Sequence, residues 1–113
     1  MALVTQAQRS GRPLLTTNLI LIELVSVLTS PLRLGRPQQI QFLKDLRSAP
    51  WVRVVPIDPA LEAAAWQLWE SRPDKDWSLV DCASFVLMRQ RGLTDALTSD
   101  HHFEQAGFVA LLK

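Results

Sequence analysis

Apolar residues along the chain form two kinds of run, short ones rich in β-forming residues and longer ones with helical spacing. The first kind is typical of strands and the second of helices that bury one face. Proline, glycine and small polar residues separate most of them. The pattern predicts strands over residues 14–17, 51–57, 95–98 and 108–112, helices over 18–30, 37–48, 60–72, 79–91 and 100–105, and the end of a further helix over 2–9.

Capping residues support several of these helix boundaries. Asn18, Asp58 and Ser78 precede three of the helices as N-cap candidates, and Gly92 fits the position that follows the helix opened by Ser78. Strands separated by helices predict an α/β fold with a mostly parallel sheet. Because the chain has 113 residues, residues 1–113 are expected to form one domain. Ligands of such sheets bind beyond the carboxyl ends of the strands.

The bulk composition narrows the class of protein only slightly. Twelve basic and 11 acidic side chains leave a formal net charge of +1, which neither requires nor excludes a nucleic-acid partner. Cys82 is the only cysteine, so an intramolecular disulfide is excluded and a reducing compartment is expected. The longest apolar stretch, residues 19–28, contains Glu23 and is far shorter than the about 20 residues that span a bilayer. We therefore expect a cytoplasmic protein with no membrane partner.

Three acidic residues lie in apolar surroundings. Glu23 lies in LILIELVSVL, Asp81 in WSLVDCASFVLM, and Asp100 directly after the strand-like ALTS. Burial of an unpaired carboxylate disfavours its charged form and is costly. If the fold brings the three together, a hard divalent cation such as Mg²⁺ or Mn²⁺ is their natural partner. A metal-dependent enzyme that cleaves phosphodiester bonds is the leading interpretation.

Each acid also has a purely structural explanation. Glu23 could pair in the core with an arginine such as Arg33 or Arg53. Ser78 and Asp81 match the capping box that satisfies free amides at a helix start, and Asp100 fits the N-cap of residues 101–105. The adjacent histidines 101 and 102 lack a partner four residues away, so a solvated helix start is favoured over a metal site. Two tryptophans three residues apart, 66 and 69, fit core or dimer packing.

Three blocks of the sequence together resemble a PIN domain, the ribonuclease fold of VapC-type toxins: TTNLILIELVSVL, DKDWSLVDCASFVLM and ALTSDHHFEQAGFVALL. The resemblance implies a three-layer α/β fold and hydrolysis of RNA by a water that bound Mg²⁺ or Mn²⁺ activates. It also implies a cognate antitoxin and a homodimer. The residues that it implies are Glu23, Asp81 and Asp100 as catalytic metal-binding acids, Asp76 as an outer-sphere group, and Thr98 and Ser99 as pocket residues.

The sequence departs from the family pattern at its start. PIN domains begin with a hydrophobic strand that ends in an Asp, followed by a helix, whereas this chain has no acid before Glu23 and matches the family from the second helix onward. That strand is the middle of the family's sheet, between the strands predicted over 14–17 and 95–98. Losing one carboxylate is expected to weaken metal binding.

Two other interpretations are consistent with the sequence, and the first of them follows from this departure. The first is a catalytically inactive PIN remnant that binds an antitoxin or dimerises through its helices. The second is a doubly wound regulator whose acids are all structural. It predicts that Glu23, Asp81 and Asp100 lie far apart.

Overall fold

A computed structural model describes residues 3–5 and 13–112. Each element predicted between residues 14 and 112 is present, with boundaries within two residues of the prediction. None of the described helices is long and apolar enough to cross a membrane. The elements in chain order are β1 Leu3–Thr5, β2 Leu14–Thr17, α1 Asn18–Thr29, α2 Arg36–Ser48, β3 Val52–Val55, α3 Pro59–Ser71, α4 Leu79–Gln90, β4 Asp95–Leu97, α5 His101–Gln105 and β5 Val109–Ala110.

The strands form one sheet in the order β3-β2-β1-β4-β5. The pairs β2/β3 and β4/β5 are parallel, whereas β1 is antiparallel to both of its neighbours, with Val4 opposite Leu15 on one side and Ala96 on the other. The prediction of a helix end over 2–9 is therefore wrong at residues 3–5, and the rest of that range lies outside the described residues. The family's parallel first strand is absent from the described residues, and an antiparallel strand takes its place.

This topology decides which strand ends meet. Because β1 is antiparallel to both β2 and β4, these two strands run in the same direction. Their carboxyl ends therefore lie at one edge of the sheet, where α1 follows β2 and Asp100 follows β4. That edge is where parallel α/β sheets bind ligands.

Helices cover both faces of the sheet, which confirms the expected α/β layering. In β3, Val54 packs against a small cluster with Leu21, Leu24 and Leu28, whereas the neighbouring Val55 belongs to the main core. Successive side chains of a strand point to opposite faces, so the two clusters lie on opposite sides of the sheet. Beyond the sheet residues, the main core contains side chains of α3, α4 and α5.

The start of α1 differs in detail from the prediction. Thr17, not Asn18, is the N-cap, and its hydroxyl accepts a hydrogen bond from the Ile20 amide at 3.1 Å. Asn18 is the first helical residue, and its Oδ1 accepts from the Ile57 amide at 2.8 Å. The asparagine thus ties α1 to the segment that follows β3, which fixes the helix over the sheet edge.

Candidate active site

A polar cavity of about 230 Å³ opens at the edge where β2 and β4 end. Four acids that the sequence singled out line it, although they come from different parts of the chain. This arrangement goes against the interpretation in which the acids are scattered. The lining residues are Ile20, Glu23, Asp76, Ser78, Val80, Asp81, Ser84, Asp100 and His102.

Asp81 is held in the cavity by the start of α4. Its amide donates to the Ser78 hydroxyl at 3.0 Å, and its carboxylate Oδ2 accepts from the Ser78 amide at 3.1 Å. One turn further along, Phe85 is fully buried between the rings of Trp77 and Phe103, with centroids 5.0 and 4.8 Å away. The capping box predicted for Asp81 is present, and the same backbone geometry turns its carboxylate toward the cavity.

Asp100 is held by the turn between β4 and α5. Its amide donates to the hydroxyl of Thr98 at 3.0 Å, and its own carboxylate accepts from the His102 amide at 2.9 Å. Thr98 is 1% exposed and contacts the Asp100 backbone, but its side chain does not line the cavity. Ser99 is exposed and also lies outside the cavity lining. Both placements differ from the expectation that Thr98 and Ser99 line the pocket.

Glu23 extends into the cavity from the second turn of α1 and is half-buried. Burial raises the pKa of its carboxyl, and the negative charges of Asp81 and Asp100 raise it further. Among the described residues, no arginine forms an ion pair with Glu23, and both Arg33 and Arg53 are exposed. The core ion pair considered as a structural explanation is therefore not formed by these residues.

Sequence reasoning missed His102 as a cavity residue. Its side chain is 20% exposed, not solvated as expected, and its Nδ1 lies 3.2 Å from Oδ2 of Asp81 and 3.4 Å from Oδ1 of Asp100. The neighbouring His101 does conform to the expectation, with a side chain 63% exposed. One signal was available, since His102 lies two residues after the N-cap candidate Asp100. Its backbone amide donates a hydrogen bond to the Asp100 carboxylate, which keeps the two side chains close together.

Two small residues of α4 lie beside Asp81. Ser84, three residues further on and thus on the same helix face, is 1% exposed and lines the cavity, which its spacing could have indicated. Cys82 is fully buried. Burial raises the pKa of its thiol to about 11, and the charge of Asp81 adds to this effect. The thiol is therefore protonated at neutral pH and is neither a nucleophile nor a ready metal ligand.

The donor set fits a divalent cation. Burial and, to a smaller extent, the negative charges of Asp81 and Asp100 raise the pKa of Glu23, and a bound cation would favour its charged form. Ligand atoms of Asp100, His101 and His102 also lie within 4.8 Å of one another. Oxygen ligands suit Mg²⁺ and Mn²⁺, and imidazole suits transition metals.

The chain forms an α/β domain with an acid-lined cavity at one edge of its sheet, and comparison with protein families identifies the domain. The family model of the PIN domain matches residues 2–109. The chain therefore belongs to the PIN domain family, as its three sequence blocks predicted.

Two curated relatives and one solved structure similar to this chain come from Mycobacterium tuberculosis. The 23S rRNA-specific endonuclease VapC20 of Mycobacterium tuberculosis, from strains CDC 1551 / Oshkosh and ATCC 25618 / H37Rv, is 36% identical over 64 residues, 57% of this chain and 49% of the relative. The matched region thus spans about half the length of these curated relatives. The crystal structure of M. tuberculosis VapC20, described as a sarcin–ricin loop cleaving toxin, superposes with a TM-score of 0.77 at 29% identity, over 86% of this chain and 72% of that one.

Proposed function

We propose that this protein is a metal-dependent endoribonuclease of the VapC toxin type. The observation that carries the proposal is the convergence of Glu23, Asp81 and Asp100, from α1, α4 and the start of α5, on one cavity of a PIN-family chain. The likeness to VapC20 in sequence and fold supports the same class of activity. A cytoplasmic site of action follows from an RNA substrate.

In this proposal the carboxylates of Glu23, Asp81 and Asp100 hold Mg²⁺ or Mn²⁺, and Asp76 at the cavity rim orients bound water. Such an ion lowers the pKa of a bound water and offsets charge on the attacked phosphate. The capping box fixes Asp81, and Thr98 fixes the backbone of Asp100, so both acids are oriented before a ligand arrives. The neutral thiol of Cys82 takes no part.

We further propose 23S ribosomal RNA as the substrate, because the VapC20 relatives are named for its cleavage. A second cavity, of about 430 Å³, adjoins the segment that leads to Asp76 and is lined by Trp69, Glu70, Arg72, Pro73 and Lys75. The exposed ring of Trp69 beside Arg72 and Lys75 suits single-stranded RNA, since a base stacks on the ring and phosphates attract the cations. A phosphate would compete with Asp74, which pairs with Arg72 at 3.0 Å.

The test is cleavage of an RNA fragment that carries the sarcin–ricin loop, beside the same fragment with that loop scrambled. We expect a cut within the native loop that requires Mg²⁺ or Mn²⁺, stops on chelation and is mapped by primer extension. Cleavage that persists after complete chelation would contradict the metal-dependent mechanism. Equal cleavage of both fragments would contradict the substrate assignment alone, and no cleavage with either ion would contradict the proposed enzyme.

The exposed apolar side chains support a second candidate function, binding of an antitoxin. Five of them lie on α1, on α2 and on the segment between these helices: Ile22, Leu32, Leu34, Ile40 and Phe42, each at least 37% exposed. Apolar surface of this kind is typical of a protein interface and suits an amphipathic helix. On the other side of the sheet, α3 exposes Trp66 and Trp69, whose rings form an edge-to-face pair suited to a homodimer.

This candidate is tested by co-purification with a VapB-type antitoxin encoded beside the gene, and by light scattering of the protein alone. Phe42→Glu is expected to weaken the antitoxin complex, and Trp66→Glu the dimer, because each places a charge on an apolar contact. If Phe42→Glu leaves the complex intact, the antitoxin binds elsewhere, and a monomeric wild-type protein would contradict the dimer.

A further inference from the structure

His102 stands between two carboxylates that come from different helices. Its Nδ1 is 3.2 Å from Oδ2 of Asp81 and 3.4 Å from Oδ1 of Asp100. The ring is four-fifths buried and faces the cavity that the acids line. A nitrogen donor therefore lies in the middle of a site otherwise built from oxygen.

The position of the ring is set by the backbone around it. Asp100 caps α5 through the His102 amide, and the Thr98 hydroxyl holds the amide of Asp100. The next residue, Phe103, is 1% exposed in the main core and anchors the helix from below. Because α5 has a cap at its start and an aromatic anchor in the core, the imidazole has little freedom to turn away from the carboxylates.

The distance from the imidazole nitrogen to each of the two carboxylate oxygens is close to that between neighbouring ligands around one ion. Ligands about 2.1 Å from an octahedral metal, at right angles to each other, are about 3.0 Å apart. The two distances from the imidazole nitrogen, 3.2 and 3.4 Å, exceed this value by a few tenths of an ångström. Asp81 is not in the group of ligand atoms within 4.8 Å of one another, which Asp100 and His102 share with His101, so the Asp81 carboxylate would have to move toward Asp100 for all three atoms to reach one cation.

From this geometry we propose that His102 is a direct metal ligand, and that with Asp81 and Asp100 it makes the site prefer Mn²⁺ to Mg²⁺. This inference rests on the proposed function, since it concerns the ion of the same site. Mg²⁺ is a hard cation that takes oxygen ligands and seldom imidazole, whereas Mn²⁺ also prefers oxygen but, as a first-row transition ion, accepts one imidazole nitrogen more readily. One imidazole among carboxylates therefore shifts selectivity without removing the oxygen donors.

The competing explanation is a hydrogen bond between the His102 ring and the two acids. In that case an arriving ion displaces the ring, and no nitrogen enters its coordination shell. His101 is the rival nitrogen ligand, because its Nδ1 lies 3.7 Å from the same Asp100 oxygen, but its side chain is 63% exposed and lies outside the cavity lining. Its removal deletes a histidine from the cluster without touching the atom that lies between Asp81 and Asp100.

The experiment is pulsed electron paramagnetic resonance on the Mn²⁺-loaded full chain, with Mn²⁺ and Mg²⁺ affinities measured by calorimetry for wild type, His102→Ala and His101→Ala. We expect modulation from a directly bound imidazole nitrogen in wild type and in His101→Ala, and its loss in His102→Ala. The preference for Mn²⁺ over Mg²⁺ should fall at least about tenfold in His102→Ala, the low end of the loss that altered metal sites show.

The possible failures are distinguishable. Mn²⁺ that binds the wild type with no nitrogen signal overturns the role of His102 and leaves the proposed nuclease intact. If the preference for Mn²⁺ over Mg²⁺ is unchanged in His102→Ala, the role of His102 is likewise overturned and the proposed nuclease stays intact. If neither ion binds the wild type, the metal-dependent function fails with it. His102→Gln, whose amide can still donate to the carboxylates, replaces the alanine variant if circular dichroism shows that His102→Ala does not fold.

Discussion

The helices α1 and α4 place their acids in the cavity by different means. Asp81 is part of a capping box and has His102 at 3.2 Å, so local structure accounts for its position. Burial and like charges raise the pKa of Glu23, and no hydrogen bond from a described residue offsets them. Because fewer structural interactions explain the position of Glu23, Glu23 is the stronger sign of a functional site. Asp81 is the better-oriented of the two proposed ligands.

The largest effect is expected for Asp81→Asn, which separates the role of Asp81 in capping α4 from the proposed role of its negative charge in metal binding. In Asp81→Asn the side chain can still accept the capping hydrogen bond, but the negative charge is lost. We expect RNA cleavage to fall at least about a hundredfold, because mutating even an outer-shell partner of a metal ligand costs about 10–100-fold and this change removes a proposed ligand itself. Initial rates on the sarcin–ricin fragment with Mn²⁺ and with Mg²⁺ give the measurement.

Asp58→Asn is the matched control for that variant. Asp58 caps α3 by accepting from the Leu61 amide at 2.8 Å, lies outside the cavity and is exposed. The same substitution at this cap should leave the cleavage rate within a factor of about two, since Asn and Asp cap helices almost equally well. Equal losses in Asp58→Asn and Asp81→Asn would mean that Asp81 acts through folding and not through its charge.

Binding of Mn²⁺ should stabilise the fold, and the size of this stabilisation should differ between variants of Glu23 and of Asp81. At a free Mn²⁺ concentration one hundred times the Kd, binding adds about 2.7 kcal/mol to the free energy of unfolding. We expect this gain to be largest in wild type, smaller in Glu23→Gln and smallest in Asp81→Asn, because Asp81 is the more firmly oriented ligand. Urea denaturation with and without Mn²⁺ measures it, and the reverse order of the two variants would invert the comparison drawn above.

Most of the fold could be predicted because its signals are local. Residues 14–112 alternate between helical and strand-like runs separated by turn residues, and Asp58, Ser78 and Asp100 are found at the N-caps where the sequence put them. The strand β1 could not be predicted in this way. Leu3–Thr5 is too short for a recognisable period, and its pairing with β2 and β4 depends on residues far along the chain.

The residues of the candidate site also divide into those that local sequence indicates and those whose position depends on contacts with distant residues. A charged residue in an apolar run can be recognised from sequence, which is why the sequence alone indicates Glu23, Asp81 and Asp100 as candidate site residues. The position of His102 depends on a contact with Asp81, 21 residues earlier, and spacing within its own short helix gives no indication of that contact. Thr98 was predicted as a pocket residue, but sequence could not show that its hydroxyl turns inward to hold the Asp100 amide.

The smallest expected effect concerns the cost of Glu23 to the metal-free protein. Its pKa is raised in the folded state, so the folded protein holds a proton that the unfolded chain has released. The unfolded state is therefore favoured increasingly as the pH rises from the unfolded pKa, about 4.3, through the folded pKa, and the penalty is then constant. Below the unfolded pKa both states are protonated and the penalty is absent.

Glu23→Gln should therefore stabilise the metal-free protein at pH 7 and not at pH 4. Because solvent screens a half-buried group, we expect a gain of only about 0.5 kcal/mol in the free energy of unfolding, measured by urea denaturation in chelator across this pH range. Glu62→Gln is the contrasting control, since Glu62 is exposed in the first turn of α3, where its charge interacts favourably with the helix dipole, and its loss should cost about 0.3 kcal/mol. A Glu23→Gln variant less stable than wild type at pH 7 would show that Glu23 has a stabilising partner, and the contrast between α1 and α4 would no longer hold.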